Sequence, residues 1–215
     1  MESERFDCLR AFDLSEISDR GNLLAGVDEA GRGPLAGPVV AAAVILPINV
    51  VILGLNDSKK ISPRRREILY EDIKGKCLVG VGIADEQEID TLNILQASRL
   101  AMKKAVLALP CTPDLVLIDG RETLDLAFPQ KAVIGGDGKS ASIAAASIIA
   151  KVYRDRLMDE WHETYPAYNF KKHKGYPTRD HIQKIREVGP CPIHRKSFGP
   201  VQEAWQQLGI TENSF

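Results

Sequence analysis

Asp28 and Glu29 are adjacent carboxylates at the point where the apolar run Leu23-Leu24-Ala25-Gly26-Val27 gives way to the turn Gly31-Arg32-Gly33-Pro34. Charge beside a buried strand is costly unless something offsets it. Carboxylate oxygens suit a hard divalent ion such as Mg²⁺. The glycines let backbone approach closely, with N–H groups and Arg32 available to an anion. Metal on one side and phosphate on the other is the arrangement phosphodiester chemistry requires.

Two further apolar segments lead to acids: residues 115–118 end at Asp119, and residues 132–134 run into Gly135-Gly136-Asp137. An acid at one strand end is ordinarily a turn former. Three such coincidences favour convergence, because ligands of open α/β sheets gather beyond strand ends. Four carboxylates brought together repel and cannot all ionise without a cation. Two divalent ions about 4 Å apart would neutralise them and clamp the attacking and leaving oxygens of a phosphodiester. Strand alternation sends Asp28 and Glu29 to opposite faces, so both reach one site only if the strand ends or bends there.

The elements that must position these acids follow from pattern. Residues 23–28, 39–46, 78–84, 115–118 and 132–134 read as strands, the second an unbroken apolar run suited to the centre of a sheet. Ser62-Pro63 caps and opens a helix to about Gly75. Asp85 caps one long helix to about Leu109. Ser140 starts a helix of small residues running to about Glu163, Thr178 caps another to Val188, and a last one spans residues 200–208. Strands mixed with helices, with carboxylates at strand ends, predict an α/β layer fold.

Asp57-Ser58-Lys59-Lys60, followed by Arg64, Arg65 and Arg66, forms a basic turn and helix start. Lys171-Lys172-His173-Lys174-Gly175-Tyr176 interleaves charge with an aromatic ring able to stack on a base or sugar. Residues 171–196 hold eight Lys/Arg against two Asp/Glu, while residues 1–30 hold three against eight, inside a net charge of −1. That gradient suits a polyanion held against a metal-loaded acidic site, although each basic segment alone also reads as a solvated surface. Two look-alikes fail. The glycines at 31, 33 and 37 lack dinucleotide-fingerprint spacing, and Gly138-Lys139-Ser140 lacks the earlier glycine of a Walker loop, since Val133 stands there.

At 215 residues and 44% hydrophobic content the chain can bury a core without staples. Four scattered cysteines without a Cys-x-x-Cys pair imply a reducing compartment, and no signal or membrane span is visible, so a cytoplasmic location is expected. The four histidines form no ligand pair at helical spacing and are assigned no metal.

These residues together resemble bacterial ribonuclease HII. The motifs are Val27 through Val39, Asp57-Ser58-Lys59-Lys60, Ile89-Asp90-Thr91-Leu92-Asn93-Ile94, Ile118-Asp119-Gly120, Gly136-Asp137 and the run from Ala144 to Asp155. His173-Lys174-Gly175-Tyr176-Pro177-Thr178 and His194-Arg195-Lys196-Ser197-Phe198 complete them. The resemblance implies an RNase H-like fold, a mixed five-stranded sheet flanked by helices with additional C-terminal helices. It implies an endoribonuclease that uses Mn²⁺ or Mg²⁺ on RNA/DNA hybrids and on ribonucleotide-containing duplex DNA, acting as a monomer. The family's catalytic, metal-holding acids fall on Asp28, Glu29, Asp119 and Asp137. Gly31, Arg32, Gly33 and Tyr176 would read the RNA-to-DNA junction, where the 2′-hydroxyl is the chemical handle. Ser58, Lys59, Lys60 and Asn93 complete the implied substrate contacts. Residues 1–20 read as a poorly constrained extension and 21–215 as a single catalytic domain. Arg121 and Gly138 depart from the commoner asparagine and serine or alanine. Ribonuclease HIII, a duplex-binding module without catalysis and a structural α/β domain stand as alternatives at this stage.

Overall fold

The computed structural model describes residues 2–17 and 23–207. Its centre is a five-stranded sheet of β1 (Leu24–Ala30), β2 (Val39–Ile45), β3 (Leu78–Ala84), β4 (Leu115–Asp119) and β5 (Gln130–Val133), in the order β3-β2-β1-β4-β5. β2 pairs antiparallel with both β1 and β3, while β4 adds to the other side of β1, and β5 to β4, in parallel. β2 is buried throughout, as its unbroken Val/Ala/Ile run requires of a strand covered on both faces.

Alternation splits the sheet into two cores. Ala42 and Val44 join the core under α2 (Pro63–Lys76) and α5 (Ala141–Thr164). Ala25, Val27, Ala41, Ala43 and Ile45 face α4 (Ile94–Leu107). The small residues of α5 let it lie close against β1. A Cβ at Gly26 would sit 2.2 Å from the backbone nitrogen of Ile143, so only glycine permits this approach. α6 (Phe170–His173), α7 (Arg179–Val188) and α8 (Gly199–Gln207) pack in a third cluster with Leu35, Met158, Tyr168 and Ile193.

Ser62, Ser140 and Thr178 act as caps, each accepting from the N–H three residues on. The long helix expected from Asp85 to Leu109 is instead two. α3 (Glu86–Leu92) carries a complete capping box from Asp85 and Glu88, and the chain breaks at Asn93, where φ is +68°. Asparagine tolerates that conformation, and its side-chain oxygen restarts a helix by accepting from Leu95 and Gln96 N–H groups. β1 extends two residues past Asp28, and the last strand sits at residues 130–133 rather than 132–134.

The N-terminal segment, assigned nothing from sequence, contains α1 (Glu2–Ile17). Phe6 and Leu9 enter the α5 core, and Asp13 is buried at the start of α5. Its carboxylate accepts from the Ser140 and Ser142 hydroxyls at 2.5 and 2.8 Å and from the Ser142 N–H at 2.9 Å. A helix N-terminus favours this charge.

Candidate active site

Parallel pairing of β1 and β4 brings the acids together. The register matches Val27 with Ile118, so Asp28 and Asp119 leave neighbouring strands side by side. After β5, the Asp119 carboxylate accepts the Gly136 N–H at 2.7 Å and draws in the 3₁₀ turn that carries Asp137. Asp28, Asp119 and Asp137 each present an oxygen, and these three atoms lie within 4.8 Å of one another. The donor set is all oxygen, which fits a hard divalent cation.

Glu29, the next residue of β1, stands outside that trio but on the wall of the same cleft. Its carboxylate accepts from Arg32 Nη1 at 3.3 Å. It lines both a cleft of about 320 Å³ that contains Asp28 and Asp119, and a neighbouring one of about 410 Å³ bounded by Leu95, Arg99, Met102 and Ile134. A 3₁₀ turn, Ser58–Lys60, capped by Asp57, brings Ser58 and Lys59 to the wall of the first cleft, with Gly31, Arg32, Gly33 and Tyr176. Ser58 is buried and shares a 2.9 Å hydrogen bond with the Ser147 hydroxyl. Lys60 turns out toward Asp57 and lines a different cleft, with Asn56 and Arg65. Asn93 spends its side-chain oxygen on the α4 cap and lines neither site cleft.

The acids carry the electrostatic signature of a cation site. Burial, followed by the charges of Glu29 and Asp119, pushes the Asp28 carboxyl well above the usual range. The Ser147 hydroxyl and the Glu29 N–H partly oppose this. Burial also raises Glu29, against the pull of Arg32, and raises Asp119, against the Gly136 N–H. Such a cluster is relieved by a positive charge at its centre.

Ser147 and Lys151 also line the cleft, on successive turns of α5. Lys151 pairs with Asp155 at 2.7 Å and lies 5.9 Å from the Tyr176 ring centroid. They fell within the Ala144-to-Asp155 motif, but sequence spacing gave no reason to single them out.

A mixed five-stranded sheet with acids at the ends of adjacent parallel strands, beside a cleft with basic walls, defines a metal-dependent nuclease of ribonuclease H fold. Residues 25–201 match the family model described as Ribonuclease HII, and the chain belongs to that family. It is 54% identical over 200 residues to the ribonuclease HII of Bacillus licheniformis, covering 93% of this chain and 78% of the relative. Against that of Idiomarina loihiensis the identity is 55% over 187 residues, covering 86% and 100%. The ribonuclease H2 structure from Pyrococcus horikoshii superposes with a TM-score of 0.73 at 25% identity, covering 88% of this chain and all of that one. The chain is accordingly a metal-dependent endoribonuclease acting on RNA/DNA hybrids. Among the described residues no helix is long and apolar enough to cross a membrane.

Proposed function

We propose that this endoribonuclease incises duplex DNA at single embedded ribonucleotides as well as RNA/DNA hybrids, cutting the phosphodiester 5′ to the ribonucleotide and leaving 3′-hydroxyl and 5′-phosphate ends. The observation that carries the reading is the meeting of three carboxylates within 4.8 Å at a cleft whose wall holds Gly31, Arg32, Gly33 and Tyr176. Asp28, Glu29 and Asp119 would hold Mn²⁺ or Mg²⁺, and Asp137 would complete a second ion site or orient the attacking water. Two such ions, when bound, supply charge neutralisation, an activated water and stabilisation of the leaving oxygen.

The protein's own part is positional. Burial and the Glu29 N–H, at 2.7 Å, fix the Asp28 carboxylate. The Gly136 N–H fixes Asp119. Arg32 and Gly33, the exposed residues of the Gly31-Arg32-Gly33 turn, offer N–H donors to the ribose 2′-hydroxyl, and Tyr176, 41% exposed, offers a ring for the neighbouring sugar or base. Lys59 and Lys151 supply charge for the backbone phosphates. Among the described residues no histidine lines the cleft to act as base. Residues 21–215 would act as one catalytic unit.

The test is cleavage of a DNA duplex containing one ribonucleotide, with Mn²⁺, Mg²⁺ or chelator, beside an all-DNA control. The reading predicts a metal-dependent cut immediately 5′ of the ribonucleotide and none in the control. Cleavage confined to long RNA tracts overturns it.

A further inference from the structure

Two arginines lie wholly buried beneath the Gly31-Arg32-Gly33 turn, and main-chain carbonyls satisfy both. Arg154, from α5, donates through Nε to Pro38 O at 2.9 Å, and through Nη1 and Nη2 to Lys174 O and Ala36 O, each at 3.0 Å. Arg195 donates through Nε to Gly37 O at 2.9 Å and through Nη1 to Arg32 O at 3.0 Å. Its Nη2 reaches Gly31 O at 2.5 Å and Gly37 O at 2.7 Å. Neither guanidinium is hydrogen-bonded to a carboxylate among the described residues; Glu86 and Asp90 act on Arg195 only through space. Burying a cation this way is costly, and guanidinium is the side chain whose planar fork can serve several carbonyls at once.

The consequence lies in peptide geometry. In a trans peptide the C=O and the N–H of the same unit point in opposite directions. Drawing the Gly31 and Arg32 carbonyls down onto Arg195 turns the N–H groups of Arg32 and Gly33 up, away from the core. Both residues are exposed, and neither N–H has an intramolecular partner among the described residues. Gly31 makes the approach possible. Its φ is +100°, and a Cβ there would stand 2.1 Å from Arg154 Nε. Phe198 lies against the other side of Arg195, 5.1 Å from ring centroid to guanidinium, and Asp90 clamps the Lys196 and Ser197 N–H groups at 2.8 Å each.

We propose that Arg195 is a positioning residue for ribonucleotide recognition: it orients the Arg32 and Gly33 N–H donors toward the 2′-hydroxyl and strengthens them with an unpaired buried positive charge. This rests on the reading that the turn recognises that hydroxyl. A cation on the carbonyl end of a peptide polarises the unit, so its N–H becomes the better donor. The Arg195 motif, singled out in the sequence without a role, thereby acquires one.

The experiment compares kcat/KM on duplexes carrying one ribonucleotide or its 2′-fluoro analogue, a far poorer acceptor, for wild type, Arg195→Lys and Asp90→Ala. Both substrates are read on the same preparation, so the ratio is insensitive to the fraction folded. Asp90→Ala loosens the Arg195 segment from the surface and serves where Arg195→Lys does not fold. Wild type should prefer the hydroxyl at least tenfold, with Arg195→Lys falling to within threefold of no preference and Asp90→Ala lying between. An undiminished ratio in the variants overturns the role of Arg195 and leaves the turn reading standing. A wild-type ratio near one overturns that reading itself.

Discussion

Asp28→Asn separates a carboxylate cluster built for a cation from one that merely ends strands. Asp28 is 6% exposed, and its oxygen lies within 4.8 Å of oxygens on Asp119 and Asp137. At that separation and an effective dielectric of 20, each ionised pair costs about 3 kcal/mol. Asparagine keeps the shape and removes the charge, so the metal-free variant should melt a few degrees above metal-free wild type. Wild type should gain in return from the ion. At a metal concentration 100 times Kd the gain is about 2.7 kcal/mol. That raises the melting temperature by about 5–11 °C, at about 2–4 °C per kcal/mol for a chain of this size. The variant should lose most of that gain and its cleavage activity while still binding duplex. The assay is thermal melting with chelator or Mn²⁺, paired with turnover of an RNA/DNA hybrid. An equal metal-induced shift in Asp28→Asn, or undiminished turnover, would refute the reasoning.

Tyr176→Ala should lower cleavage at a single ribonucleotide more than cleavage within a long RNA tract, with melting little changed; equal rates on both substrates would remove Tyr176 from the junction. Lys59→Ala should reduce the log–log salt dependence of duplex binding by about 0.9, one phosphate contact, as read by titration at several salt concentrations. Asp13→Ala leaves the buried Ser142 N–H unpaired at the start of α5 and should cost about 2–3 kcal/mol, a fall of roughly 5–10 °C in melting temperature. Burial drives the His181 imidazole down to about 4 and His194 to about 3, so the unfolded chain takes up protons first on acidification. The stability they give is full above pH 6.5 and drains as pH falls toward 4 and then 3. For His181 the total is about 3 kcal/mol. His181→Asn should flatten the acid limb of melting temperature against pH, and an unchanged limb would reject the assignment.

Much of this fold is legible along the chain. Short apolar runs ending at turns or acids located five strands, and a small-residue pattern located the helix from Ser140, because burial and close packing leave marks within a few residues. The same local logic marked Asp28, Glu29, Asp119 and Asp137 as strand-end acids. Asn93 shows where local reading stops. Apolar spacing continues through it, while its positive φ depends on a side-chain cap that periodicity does not register. The packing of the folded chain settled which acids meet: parallel pairing of β1 with β4 and the Gly136 turn bring Asp28, Asp119 and Asp137 together, with Glu29 outside that trio on the wall of the same cleft. It also decided that Arg195 reaches Gly31 across 164 residues, and that Asp13 caps α5 across 127. Contacts of that range carry no periodic signature, because their geometry is set by how the layers stack rather than by neighbours along the chain.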